Sequence, residues 1–109
     1  MLLEQGILSN PNLMEIEGCI ELIRYVPSYM YWCASNPDRE GELVFDFTVS
    51  ALAEFGRCTD PQNSSLNFRY LCNAEQKAVV IDFLNWCKSE LYLCNKAQID
   101  RAIIKWSVS

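Results

Sequence analysis

The chain of 109 residues has the length of one ordinary domain, and half of its residues are hydrophobic, which excludes an intrinsically disordered protein. It contains no histidine, which excludes imidazole-based catalysis and removes the commonest transition-metal ligand. Residues 1–54 carry a net charge of −7 and residues 55–109 a net charge of +2, and this acidic half argues against nucleic-acid binding.

The first helix is predicted to begin at Ser9-Asn10-Pro11, where a capping side chain precedes a proline in the first turn. The apolar residues on one face of this helix recur three and four positions apart: Leu13, Ile16, Ile20 and Ile23. Because Pro27 has no N–H donor, we expect the helix to end near Tyr25 or to kink there. The aromatic-rich residues that follow, as far as Ser35, predict a short and largely buried second helix.

The middle of the chain predicts a turn, a longer helix and a loop. Residues 36–41 have strong turn chemistry, and a broad apolar face predicts a helix over residues 42–55. Gly56 is expected to end that helix. Residues 59–65 predict a polar loop, and the alternation that follows indicates one short extended segment near 66–71.

The last third of the chain carries the strongest helix signals. Asn73-Ala74-Glu75-Gln76 has the spacing of a capping box and predicts a helix that reaches about Glu90. The same signature recurs at Asn95-Lys96-Ala97-Gln98, before the final helix. The two apolar stripes are Val80, Leu84, Cys87 and Leu91, then Ile99, Ala102, Ile103 and Trp106. The fold class predicted for residues 1–109 is therefore all-α, as a single compact bundle of about five helices.

Six cysteines stand at positions 19, 33, 58, 72, 87 and 94, and several fall within apolar helical patterns. They form no Cys-x-x-Cys pair, so we predict buried free thiols instead of a disulfide framework or a zinc site. No glycine-rich phosphate loop occurs, so we expect neither a cofactor nor a metal. The chain shows neither a signal-peptide pattern nor a run of about 20 apolar residues, which predicts a cytoplasmic protein that does not contact a membrane.

Seven acidic residues of the N-terminal half form the predicted partner-binding face: Glu15, Glu17, Glu21, Asp38, Glu40, Glu42 and Asp46. Glu42 and Asp46 are four residues apart, where like charges repel by roughly 0.2–0.5 kcal/mol unless a cation lies nearby. Three interpretations stay open: a solvated surface, an acidic patch for a basic partner, and a carboxylate-driven enzyme that uses Glu42 and Asp46.

The aromatic residues have two interpretations. Tyr29, Tyr31 and Trp32 lie within so apolar a segment that we predict them to be core residues, although Tyr and Trp are also common in binding hot spots. On the second interpretation, residues 28–33 join two copies of the chain in a homodimer. Trp86 and Trp106 fall on helical apolar stripes and are predicted to be packing residues.

Several segments, read in order, carry a resemblance to a known family. They are Arg24-Tyr25-Val26-Pro27-Ser28-Tyr29-Met30, Asn36-Pro37-Asp38, Phe45-Asp46-Phe47-Thr48-Val49, residues 73–84 and Ala102-Ile103-Ile104-Lys105-Trp106. The chain resembles in these segments an uncharacterised family of small bacterial helical proteins. The match covers about residues 24–106, and it departs from the family at Asn73, where the family tends to have Thr-Pro before Glu-Gln. The resemblance assigns no catalytic residue, since that family has no established activity.

The resemblance adds one expectation about function. Proteins of this size and type are often immunity proteins, which neutralise the toxins encoded beside them, as in contact-dependent growth inhibition. With the acidic half of the chain and the lack of catalytic residues, this favours a cytosolic inhibitor over an enzyme. The predicted partner is a basic toxin domain, such as a nuclease, that the acidic face occludes. The alternative is a structural or regulatory subunit that acts through homo-oligomerisation.

Overall fold

The computed structural model describes residues 4–15 and 19–108, with the backbone alone at residues 4, 5, 19 and 20. Short 3₁₀ turns occupy Leu13–Glu15 and Pro37–Arg39. The six helices are α1 (Glu4–Ser9), α2 (Cys19–Ser35), α3 (Leu43–Arg57), α4 (Phe68–Leu71), α5 (Ala74–Glu90) and α6 (Lys96–Trp106). The described residues contain no strand, and the radius of gyration is 12.8 Å. The prediction of a compact all-α bundle is therefore confirmed.

Residues from all six helices and from the first 3₁₀ turn meet in one hydrophobic core. Its largest fully buried side chains are Ile7, Leu13, Leu22, Val26, Tyr29, Val44, Leu52, Phe55, Val80, Leu84, Ile99 and Trp106. Those on α3, α5 and α6 belong to the apolar stripes that the sequence predicts. The Tyr29 hydroxyl donates to the carbonyl of Asn10 and ties α2 to the segment that follows α1.

Helices α3 and α6 lie side by side and run parallel. The indole Nε1 of Trp106 donates to the carbonyl oxygen of Leu52 at 2.8 Å, so the end of α6 meets the second half of α3. Near the beginning of both helices, Asp46 and Gln98 line a common cavity. Gly56 permits the close approach, because a Cβ atom there would lie 3.1 Å from Cδ1 of Trp106 and 3.3 Å from Cβ of Lys105.

The predicted capping box at the start of α5 is confirmed. The Asn73 side chain accepts from the Gln76 backbone N–H at 2.8 Å, and the Gln76 side chain accepts from the Asn73 N–H at 2.7 Å. Asn95 caps α6 in the same way, accepting from the N–H of Gln98 at 3.0 Å. These local bonds satisfy backbone donors that a helix start leaves without partners. They fix the beginnings of the two helices on either side of residues 91–95.

The predicted end of a helix near Tyr25 is wrong, because α2 continues through Pro27 to Ser35. Val26 and Tyr29, on either side of Pro27, are both buried, whereas the proline itself is exposed. The free energy gained by burying the residues on either side of Pro27 outweighs the cost of the one backbone hydrogen bond that proline cannot form. The predicted helix start at residues 9–11 is also wrong, since Ser9 ends α1; residues 16–18 lie outside the described residues.

The predicted extended segment near 66–71 is wrong as well, because Phe68–Leu71 forms the single-turn helix α4. Phe68 and Arg69 are adjacent in sequence and both are buried, which the alternation of a half-buried strand does not allow. The Phe68 ring packs against Phe55 and Trp106, with centroids 5.2 and 6.0 Å away. The predicted end of α3 at Gly56 also changes, since the helix runs one residue further to Arg57.

Candidate protein-binding surface

The seven predicted acidic residues fall in two parts of the chain. Asp38, Glu40, Glu42 and Asp46 follow one another through the connection between α2 and α3 and into the first turn of α3. Glu15 and Glu21, in contrast, belong to the first 3₁₀ turn and the first turn of α2. Glu17 lies outside the described residues. The predicted face therefore combines residues from two parts of the chain, and the first group surrounds the beginning of α3.

Two of the predicted acidic residues form ion pairs with nearby arginines. Arg24 lies 3.7 Å from Glu21, and Arg39 lies 3.3 Å from Glu42; both pairs are three residues apart on the surface. Asp38 is exposed, as is Asp46, and neither forms an ion pair with a described residue. Within the described part of the chain, Asp38 and Asp46 therefore carry negative charge that no ion pair neutralises.

Glu40 has a structural role that the sequence did not predict. Its two carboxylate oxygens accept from the backbone N–H groups of Tyr92 and Leu93, at 2.8 and 2.6 Å. Hydrogen bonds of backbone donors to a carboxylate are among the stronger ones in proteins. Glu40 therefore fixes the connection between α5 and α6 against the connection between α2 and α3.

The residues that Glu40 holds are the most exposed large apolar side chains in the part of the chain that the structure describes. Tyr92 is 92% exposed and Leu93 is 70% exposed. The flanking residues are fixed, since Leu91 is buried in the core and Asn95 caps α6. We call this pair the Tyr92–Leu93 projection. In the sequence, only the apolar residues between α5 and α6 indicate this projection.

A small cavity joins the Tyr92–Leu93 projection to the acidic residues. It has a volume of about 150 Å³ and is lined by Glu40 and Asp46 on one side and by Leu93, Asn95 and Gln98 on the other. Two carboxylates and one exposed apolar side chain therefore share one rim. We call Asp38, Glu40, Asp46 and the Tyr92–Leu93 projection together the acidic surface.

Glu42 and Asp46 line no common cavity among those described for this chain. Both side chains are exposed, and the cavity beside Asp46 is not lined by Glu42. An acid–base pair needs a cleft that shifts one carboxyl pKa away from the other. Among the described residues, no group of three or more acidic or cysteine side chains could hold a metal ion.

The five thiols that the structure describes are free and largely buried, as predicted, and the side chain of Cys19 lies outside the description. Cys33, Cys58, Cys72 and Cys87 are buried, Cys94 is partly exposed, and none of the five forms a disulfide. Burial raises the pKa of the Cys33 thiol to about 12 and that of Cys72 to about 11, against the opposing effects of Thr48 and Lys77. Burial also raises the pKa of Cys87 strongly. A thiol held neutral in this way is a poor nucleophile.

Most of the aromatic segment 28–33 belongs to the core, and its use in a homodimer stays a prediction. Tyr29, Met30, Trp32 and Cys33 are all buried, and only Tyr31 is well exposed, at 61%. The prediction that Tyr29 and Trp32 are core residues is confirmed, and for Tyr31 it is wrong. Trp106 is buried as predicted, whereas Trp86 is half-buried and stacks on Phe83.

None of the described helices combines sufficient length with sufficient apolar character to cross a membrane. Comparison with models of known protein families, with curated proteins and with solved structures finds no match for this chain in any of the three. The resemblance to a family of small bacterial helical proteins therefore stays a prediction.

Proposed function

We propose that this protein is a cytosolic inhibitor of the immunity-protein type, which binds a basic toxin domain through the acidic surface and blocks it. The observation that carries the proposal is the Tyr92–Leu93 projection, which Glu40 holds in place at the rim of a cavity that Asp46 also lines. The proposal revises the predicted contact residues. Glu40 acts as a support, and Asp38, Asp46, Tyr92 and Leu93 provide the contacts.

The exposure of the projection supports protein binding. An exposed apolar side chain gains nothing for the fold, whereas Tyr at the centre of an interface is a common hot spot. Because two hydrogen bonds fix the Tyr92 and Leu93 backbone, less conformational entropy is lost when a partner covers these side chains. A partner with an apolar pocket in a basic surround would complement the acidic surface.

The charge distribution supports a basic partner. Asp38 and Asp46 lack counter-ions among the described residues, and Glu90 ends α5 two residues before Tyr92. Unpaired surface charge of one sign raises the association rate with an oppositely charged partner, and salt weakens the effect. Nuclease domains bind phosphates and are basic around their sites, so an acidic surface can block them.

Capture of the partner tests the proposal. The tagged protein is co-expressed with its gene neighbours, and native mass spectrometry is used to identify any stoichiometric polypeptide. We expect a basic partner whose toxic activity is lost in the complex. A protein that emerges alone, or with a partner whose activity is unchanged, contradicts the inhibitor function.

The contact residues are then tested by association and dissociation rates. We expect Asp46→Lys to slow association about tenfold at low salt, and the difference from wild type to shrink as salt is added. Tyr92→Ala together with Leu93→Ala should raise the dissociation constant about thirtyfold, mainly through faster dissociation.

Asp82→Lys is the matched control. Asp82 is an exposed carboxylate on α5, and its substitution by lysine changes the net charge by the same amount as Asp46→Lys. Equal slowing by Asp46→Lys and Asp82→Lys would mean that net charge alone matters, and would remove Asp46 from the contact surface.

A further inference from the structure

A second and larger cleft lies between the C-terminal half of α3 and most of the length of α6. Its volume is about 440 Å³, against about 150 Å³ for the cavity beside the Tyr92–Leu93 projection. The polar lining consists of Glu54 and Arg57 from α3 and of Gln98, Arg101 and Lys105 from α6. Gln98 lines both cavities, so they follow one another along the same helix pair, with the acidic residues at the beginning and the basic residues at the end.

The cleft holds three cationic side chains and one carboxylate. Arg57 is paired with Glu54 at 3.0 Å, whereas Arg101 and Lys105 form no ion pair with any described residue. Arg101 and Lys105 stand four residues apart on α6, a spacing at which like charges repel. The cleft therefore lacks the negative charge that would balance its lining.

Two of these three cations stabilise the helices to which they belong, whereas the third does not. Arg57 and Lys105 lie in the last turns of their helices, where positive charge stabilises the helix dipole. Arg101 lies in the middle of α6, where the dipole gives no such stabilisation. Repulsion from two other cations makes the position of Arg101 unfavourable in the free protein. A bound anion would offset that repulsion.

The spacing of Arg101 and Lys105 and the position of the cleft favour one kind of anion over another. Four residues along a helix advance about 6 Å, so the bases of the Arg101 and Lys105 side chains are separated by about that rise. Acidic side chains two positions apart on one side of an extended peptide are separated by about 6.6 Å. A compact phosphate binds best at helix N-termini, and Arg57, Arg101 and Lys105 all lie beyond the first turns of α3 and α6. Separate carboxylates of a peptide therefore fit better than a single phosphate.

We propose that the cleft between α3 and α6 binds an acidic segment of a polypeptide, with Arg101 and Lys105 each holding one carboxylate and Arg57 lying at the end of the cleft. The open cleft between two parallel helices suits an extended chain. This site is independent of the proposed inhibitor function, because neither Asp46 nor the Tyr92–Leu93 projection takes part in it.

An NMR titration of the full ¹⁵N-labelled chain tests the site, with an acetylated and amidated hexaglutamate peptide as the probe at low salt. The protein carries a net charge of −5 and repels this probe at long range, so saturable binding requires a local basic site. We expect the backbone signals of residues 53–57 and 98–105 to shift. Arg101→Ala with Lys105→Ala should raise the dissociation constant about five- to tenfold.

Lys77→Ala with Lys96→Ala is the matched control, since it removes the same charge from residues that do not line the cleft. It should change the dissociation constant less than about twofold. Thermal unfolding confirms that each variant is folded, and Arg101→Gln provides a milder second variant. An equal loss of binding in the two double variants, or no saturable shift in wild type, overturns the site.

Inorganic pyrophosphate is the second probe, and it separates the two sources of anionic charge. We expect pyrophosphate to bind more weakly than hexaglutamate. If pyrophosphate produces the same shifts at a lower concentration, the cleft is a small-phosphate site and the peptide proposal is overturned. Neither result bears on the inhibitor function, whose test depends on Asp46, Tyr92 and Leu93.

Discussion

Gly56 shows how one missing side chain sets the distance between two helices. Trp106 is fully buried and its indole is hydrogen-bonded to Leu52, so the ring has no room to move aside for a Cβ atom at position 56. Helix propensity favours alanine over glycine at this position by about 0.5–1 kcal/mol. The steric conflict with Trp106 acts in the opposite direction.

We predict that Gly56→Ala destabilises the protein by about 1–3 kcal/mol, because overpacking outweighs the gain in propensity. Urea unfolding followed by circular dichroism measures the change. Gly41→Ala is the control, since a Cβ atom at Gly41 would have no neighbour within 4 Å. A Gly56→Ala variant as stable as wild type would show that α3 and α6 can separate without cost.

At the scale of the element, local signals predicted the beginnings of α3, α5 and α6, whereas tertiary burial decided the extent of α2 and the conformation of residues 68–71. The Asn73–Gln76 box is readable from sequence because both partners lie within four residues. The continuity of α2 through Pro27 depends on which side chains the rest of the chain buries. The acidic surface likewise combines features that the sequence reveals with features that depend on the tertiary structure. The charge of Asp46 is visible in the sequence, whereas the bond from Tyr92 to Glu40 joins residues 52 positions apart.

Pro27 leads to a prediction about α2. We expect Pro27→Ala to stabilise the protein by about 1–2 kcal/mol, since alanine restores the backbone donor and the loss of proline rigidity in the unfolded chain is smaller. Pro61→Ala, in the exposed loop after α3, should instead destabilise by about 0.4–1 kcal/mol. Thermal and urea unfolding compare the two variants. Destabilisation by Pro27→Ala would mean that the ring, which lines the groove between α2 and α5, contributes packing that outweighs the missing bond.

For the whole molecule, the buried thiols couple stability to alkaline pH. Cys33 and Cys72 keep their protons to about pH 12 and 11 in the folded protein, because burial raises each pKa from the ordinary value of 9.0. Above pH 9 the unfolded chain loses these protons while the folded chain retains them. The stabilisation is therefore complete below pH 9 and is lost as the pH rises through the folded values.

We predict that the free energy of unfolding falls by about 1 kcal/mol per buried thiol between pH 8 and pH 10. Urea titrations at several pH values measure the slope. Tyrosine and lysine also titrate in this range, so the variant Cys33→Ala with Cys72→Ala isolates the thiol contribution. The same slope in wild type and variant would show that the thiols are not responsible.

The hydrogen bond from Trp106 to Leu52 also has a consequence for synthesis of the chain. Its two residues are 54 positions apart. A ribosome that adds about 5–20 residues per second needs roughly 3 to 11 seconds to cover that distance. During this interval α3 has been made but lacks the helix that covers Leu52 and Phe55. A chaperone that binds apolar helix faces would therefore find its target in nascent chains that have not yet reached Trp106.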